Sequence, residues 1–196
     1  MRIRDVNKEY LVKQKAIEML VNQGIEGFGM NRLAKESGVS VATLYIYYAD
    51  KDDLIKKIGI EIGHNFFGEM MKDFSSDMPF IEGLRKQWDN RANFMMKNMN
   101  EVACWEVLQN SSYSEYIVQE SIKDFKNTMI NFFQNAVDRK EMVPVSKDVF
   151  WSIAYGPLYS LLRFHNKGKS MGGFPFSLTT EIQNEAFKLV IKALTP

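Results

Sequence analysis

The 196-residue chain holds one cysteine, Cys104, and two histidines, His64 and His165. A lone cysteine excludes an internal disulfide and fits a reducing compartment. Beside Trp105, Cys104 reads as a small buried hydrophobe. The histidines fall on separate predicted helices, and with Cys104 they show no metal-ligand spacing. No carboxylate pair stands in a conspicuously apolar context. Gly24-x-x-Gly27-x-Gly29 follows no strand, so no phosphate or dinucleotide loop is present. No catalytic constellation, metal or cofactor is therefore expected. Long apolar runs are missing too: no window approaches about eighteen uninterrupted apolar residues, which argues against a membrane span. The opening MRIRDVNKEY lacks the apolar core of a secretory signal, and the cytoplasm is the expected location.

The composition is that of an ordinary globular protein, with 45% hydrophobic and 25% charged residues and a net charge of +1. Residues 1–57 carry ten Lys/Arg against eight Asp/Glu, and the remainder fifteen against sixteen. Arg2, Arg4, Lys8, Lys13 and Lys15, set against Asp5 and Glu9, form a modest basic arm. It reads equally as an attraction for a phosphate backbone or as a solvated helix face.

Convincing strand alternation is absent, and apolar residues recur with helical period nearly throughout. The expected fold is all-α, with about nine helices. A first helix runs from about Val6 to Gln23, with Val12, Ala16, Met19 and Leu20 on one face and Gly24 as its stop. Asp50 caps a fourth helix from Lys51 to about Phe74, with Asp52 and Asp53 near its positive end. Pro79 opens a fifth helix to about Asn98, and a sixth covers about Val102 to Gln109. Ser112 with Glu115 predicts a capping box for a long seventh helix through about Lys140. Ser146 caps an eighth to about Asn166, KGKSMGGFPF (167–176) is a loop, and a last helix spans about Leu178 to Leu194.

Chemistry concentrates in MNRLAKESGVSVATLYIYYADK (30–51). Ala34 suits the close approach of two steeply crossed helices, and Gly38 suits a tight link that needs positive φ. Ser40 stands where its oxygen caps the second helix, and Val39 and Leu44 anchor the pair. Such a helix-turn-helix enters the major groove with the first turn of its second helix facing base edges. Val41, Ala42 and Thr43 occupy that turn, where methyl groups meet thymine methyls and the Thr43 hydroxyl meets a base or a phosphate. Tyr45 and Tyr47 lie further along, at phosphate height. Tyr45 and Tyr48 read equally as core aromatics, one or both pinning the third helix; of the tyrosines, Tyr48 is expected in the core and Tyr47 at the DNA. Strongly base-specific side chains are few, so part of the specificity is expected from DNA shape.

These residues resemble the N-terminal domain of the TetR/AcrR family of transcriptional regulators. The resemblance rests on Ala16, Met19, Leu20, Gly24 and Phe28, then LAKESGVS (33–40) and ATLYIYYADKDDL (42–54), and covers about the first quarter of the chain. It implies a backbone grip by Thr43, Tyr47 and Lys51. Three departures are visible. The hydroxyl residue common at the start of the family's second helix is replaced where Gly29 and Met30 fall, which leaves Asn31 and Arg32 as the substitutes for phosphate contact. Ala42 replaces the usual Gly, and Tyr48-Ala49 replaces Phe-x.

The remainder holds thirteen of fourteen Phe, all three Trp and nine of twelve Met. Such side chains line adaptable cavities, and they also build plain helical cores. The resemblance implies an effector pocket, with Phe66, Met70, Trp88, Phe94, Met95, Trp105, Tyr113, Phe125, Met129 and Tyr155 as candidate lining and a mostly apolar effector. WSIAYGPLYSLLRFH (151–165), with Gly156, and the stripe Ile182, Ala186, Leu189, Val190 and Ala193 read as an interface or as monomer core. The resemblance implies a homodimer through these last two helices.

The expectation is a DNA-binding domain over residues 1–56 and an effector-binding and dimerisation domain over 57–196. Together they describe a cytoplasmic repressor released from a near-palindromic operator by a small molecule. The rival readings are a helical ligand-binding or sequestering protein that does not touch DNA, and an effector-independent activator or architectural protein.

Overall fold

The computed structural model describes residues 6–196, with the side chains of Val6, Lys123 and Asp124 excepted. Arg2, Arg4 and Asp5 of the expected basic arm lie outside the described residues. Of the arm's other cations, Lys13 pairs with Glu61 at 2.5 Å and Lys15 with Glu18 at 2.6 Å.

Ten helices and no strand are found among the described residues. They are α1 (Val6–Gln23), α2 (Met30–Glu36), α3 (Val41–Tyr47), α4 (Lys51–Met70) and α5 (Phe80–Lys97), then α6 (Met99–Gln109), α7 (Ser114–Ser121), α8 (Lys123–Asp138), α9 (Lys147–Lys167) and α10 (Thr180–Leu194). The chain divides into two compact units, Met1–Asn65 with Asn98–Ile122, and Phe66–Lys97 with Lys123–Pro196. The division differs from the expected boundary after residue 56. In the first unit Val12, Ala16, Leu20, Leu33, Leu44 and Leu54 share one core with Cys104, Leu108 and Ile117. Residues of α4, α6 and α7 thus join those of α1, α2 and α3 in the hydrophobic core of this first unit, the head.

The long seventh helix is two helices, and this corrects its expected extent. α7 buries Ile117 in the first unit, whereas α8 buries Phe125, Met129 and Phe132 in the second. At the junction the Ser121 hydroxyl donates to the Ile117 carbonyl at 2.6 Å, and the Ile122 N–H closes α7 on Val118 at 3.1 Å. Such back-bonding by a helical serine favours a bend. Ser112 is not the cap. Tyr113 holds that place, with its own N–H donating to the Ser111 hydroxyl at 3.2 Å. α4 is also shorter than expected, ending at Met70 before a turn in which Asp73 takes a φ of 52°.

Other caps follow the sequence. Asp50 accepts the Asp53 N–H at 2.8 Å while Asp53 accepts the Ala49 N–H at 2.8 Å, a reciprocal box at the start of α4. Ser146 caps α9 through the Val149 N–H. One cap comes from far along the chain: the Glu141 carboxylate accepts the first N–H of α5, that of Phe80, at 2.7 Å.

Two glycines of α4 mark close helix approach within the first unit. A Cβ on Gly59 would run into Ile117, and one on Gly63 would stand 2.6 Å from the Ser121 Cβ and 3.0 Å from the Trp105 ring. Cys104 of the same core is fully buried, and burial pushes its thiol up to about 12, so it remains a neutral apolar filler. Replacing Gly63 by Val is expected to cost about 1–3 kcal/mol through overpacking, read as a lowered thermal midpoint. An unchanged midpoint would mean that α4 and α7 are not tightly seated.

Candidate nucleic-acid interface

Seven residues form α3, too few for an isolated helix to persist in water. It is held from one side. Leu44 is fully buried, and Leu33 and Ala34 of α2 lie against the same core. The link is tight: Ser37 donates to Leu33 at 2.9 Å, Gly38 to Lys35 at 3.3 Å and Val39 to Ala34 at 3.0 Å. Gly38 takes a φ of +66°, which a residue with a Cβ would adopt only under strain. Ser40, extended at φ −73° and ψ 152°, accepts the Thr43 N–H at 3.1 Å. Its hydroxyl also bonds the Thr43 hydroxyl at 2.8 Å, so these two side chains form one unit at the head of α3.

The opposite face is open. Ala42, Tyr45, Ile46 and Ala49 are exposed, with Tyr45 at 53% and Ile46 at 49%. On α3 the spacing of three and four residues puts Ala42, Tyr45 and Ile46 on one stripe, and Ala49 lies past the end of the helix. Val41, Thr43 and Lys51 are half-buried beside it, and Ser40 is exposed. Ile46 did not emerge from motif reading, although it stands four residues after Ala42 on the same helical face.

Tyr47 departs from expectation. Its ring is 7% exposed and that of Tyr48 5%, with the two centroids 6.4 Å apart inside the head core. Alternation along the helix turns Tyr45 and Ile46 outward and Leu44, Tyr47 and Tyr48 inward, so the exposed phenol is that of Tyr45. Lys51 donates to the Ile25 carbonyl at 2.9 Å, which ties the start of α4 to the turn after α1. Lys57 reaches the Tyr47 carbonyl at 3.3 Å, a cation at the negative end of α3. Asn31 and Arg32 are both exposed at the start of α2, and Arg32 is held by Glu36 at 2.8 Å. An exposed pair of this kind contributes under about 1 kcal/mol, so a phosphate can displace Glu36 cheaply.

Residues 14–58 match the family model of bacterial regulatory proteins, tetR family. An uncharacterised HTH-type transcriptional regulator of Haemophilus influenzae is 24% identical over 140 residues, 69% of this chain and 71% of the relative. An HTH-type transcriptional regulator of Staphylococcus aureus is 27% identical over 113 residues, 56% of this chain and 60% of the relative. The crystal structure of a TetR family transcription regulator from Marinobacter aquaeolei superposes with a TM-score of 0.82 at 23% identity, covering 99% of this chain and 98% of that one. Residues 14–58 thus form a TetR-family N-terminal domain.

The effector lining expected of a TetR-type body is distributed over both units. Phe66, Met70, Trp88, Phe94, Met95, Phe125, Met129 and Tyr155 lie in the second unit, but Trp105 and Tyr113 lie in the first. Tyr113 donates to the Asp52 carboxylate at 2.6 Å, and this bond with burial pushes its phenol up to about 12. Trp88 donates to the Ala154 carbonyl at 2.7 Å and packs edge-on against Phe187, a structural seat between α5, α9 and α10. Phe66 and Phe94 pack with tilted rings, their centroids 5.3 Å apart. Phe125 and Tyr155 instead surround Arg91, which sequence reasoning missed. Arg91 falls on the apolar stripe of α5 with Leu84, Trp88 and Met95 and is fully buried. A cation on such a stripe was the legible signal. Its guanidinium carbon lies 4.0 Å from the Tyr155 ring centroid. A desolvated cation–π contact of this kind contributes about 2 kcal/mol, less than the several kcal/mol that burying an ion costs.

Burial separates the tyrosines of α3 experimentally. Tyr47→Ala is expected to lower stability by about 3 kcal/mol through loss of a buried ring. Tyr45→Ala is expected to change it by under about 0.5 kcal/mol. Denaturant unfolding of the two variants checks the assignment; equal losses would contradict the orientation of α3.

Proposed function

We propose that this TetR-family, DNA-binding transcriptional regulator is a homodimeric cytoplasmic repressor whose grip on a near-palindromic operator is released by a small molecule with a mostly apolar body. The observation that carries the DNA-reading role is the exposed stripe Ala42, Tyr45, Ile46 on a helix anchored by Leu44 and Tyr47. In this reading Ala42, Val41 and Ile46 touch thymine methyls and the Thr43 hydroxyl bonds a base edge, while Tyr45, Lys51, Asn31 and Arg32 hold the phosphates. Ser40 positions Thr43. Tyr47 supports the helix from beneath, with only the edge of its ring near the DNA.

The dimer would form through α9 and α10. Val190 is buried within the chain, but Leu189 is 64% exposed, Ala193 is exposed and Ile182 and Ala186 are half-buried. A Cβ on Gly156 would meet nothing within 4 Å, so packing within the chain gives no reason for a glycine there, whereas a partner helix does. Two readers would then engage successive major grooves, about 34 Å apart. α4 carries residues of both units in one continuous helix, which suits it to relay effector binding to the heads. Heads at the wrong separation lose simultaneous contact with both half-sites, and affinity falls by the avidity term.

Anisotropy titrations with the chain's own upstream DNA and with random DNA test the interface. Lys51→Ala is expected to weaken both and to lower the slope of log affinity against log salt by about 1. Ala42→Gly and Thr43→Val should instead alter which sequence is preferred. Indifference of sequence preference to both would remove the base-reading role. For the dimer, Leu189→Asp should shift the chain to monomer in light scattering at micromolar concentration. Retention of the dimer would place the interface elsewhere.

A further inference from the structure

Arg91 has more donors than partners. Its Nε donates to the Tyr159 hydroxyl at 3.0 Å, and its Nη1 donates to the Gln87 backbone carbonyl at 3.2 Å and to the Gln87 side-chain oxygen. Nη2, buried, has no hydrogen-bond partner among the described residues. The Tyr155 hydroxyl, in the same cluster, is buried and equally without a partner. Every group bonded to Arg91 is neutral, and no ion pair to it is present among the described residues. Aromatic rings close around it: Phe125 at 5.8 Å and Trp151 at 5.7 Å from the guanidinium carbon, besides Tyr155. Trp151 is 39% exposed, so this one ring extends from the buried cation to the surface.

Uncompensated buried charges and orphaned buried donors are both rare in folded proteins, and among the described residues they coincide here. We infer that Arg91 and Tyr155 bind the carboxylate of an organic acid whose apolar skeleton packs against Phe125 and Trp151. The charge count selects the head group. One cation asks for a monoanion, whereas a phosphate dianion would leave excess negative charge in an apolar surround. Two donors, the cationic Nη2–H and the neutral phenolic O–H, match two carboxylate oxygens. Burial, the largest influence, pushes the Tyr155 phenol up to about 12 despite the opposing pull of Arg91, which keeps it a donor. The inference rests on the effector reading above and gives that effector a charged end.

Calorimetry and thermal shift on the full chain without DNA test it, with octanoate and phenylacetate as probes against their methyl esters, the matching alcohols, and octyl phosphate. The carboxylates are expected to bind and to quench Trp151 fluorescence, and the esters, alcohols and octyl phosphate to bind roughly 10- to 100-fold more weakly. In Arg91→Met the carboxylate preference should vanish while the ligand-free thermal midpoint holds or rises, because an unpaired buried ion has been replaced by an apolar side chain. The inference is overturned if no carboxylate binds, if esters or octyl phosphate bind as well as the acids, or if Arg91→Met lowers the midpoint and leaves the preference intact. Carboxylate binding that fails to release DNA would support the site and contradict the effector reading instead. Ester binding that does release DNA would do the reverse.

Discussion

A seven-residue helix cannot hold itself together, and the rest of the head follows from that constraint. The backbone hydrogen bonds of α3 are too few to offset its ordering entropy, so packing from one side must supply the difference. Leu44, Tyr47 and Tyr48 face inward for this purpose, and Gly38 and Ser40 fix the direction in which α3 leaves α2. One face committed to the core leaves the other free. Rigid anchorage and an open surface are therefore two consequences of the same short length. The core that does the anchoring is larger than three helices, since α6 and α7 contribute Cys104, Leu108 and Ile117 to it.

The second unit presents a different problem. Its aromatic residues form a continuous packed set, with Phe80 on Phe132 at 6.0 Å, Phe80 on Phe150 at 6.3 Å and Phe150 on Tyr155 at 6.1 Å. Hydrocarbon packing of this kind requires no charge. Arg91 stands within it nonetheless, held by neutral acceptors and ring faces that offset only part of its desolvation. A buried cation left short of partners makes the ligand-free unit less stable than an apolar residue would. Stability given up in this way is characteristic of sites that await a ligand.

Much of the head was legible in the chain because local chemistry sets it. Gly38, Ser40 and Asp50 declare a turn and two caps, and neighbours within four residues satisfy each. The family resemblance was legible for the same reason. Facing was less so. Adjacent Tyr45, Ile46, Tyr47 and Tyr48 have similar composition, and only the phase set by Leu44 decides which rings turn outward. The division into units was not legible, because α6 and α7 join the head through contacts distant in sequence. The break at Ile122 was hidden for the same reason: helical periodicity continues across it while the core being buried changes. Arg91 was visible as a residue and overlooked as a problem, since an arginine between Asn90 and Ala92 looks solvated until the α5 stripe is drawn.

Side-chain NMR gives the most direct test of the outward face of α3. With isoleucine methyls and tyrosine rings labelled, saturating operator DNA is expected to shift the Ile46 methyl and the Tyr45 ring strongly. The methyls of Ile17 and Ile55, buried in the same unit, should move little. Ile46 and Tyr45 signals that stay unmoved while the protein is fully bound would contradict a reading surface on α3.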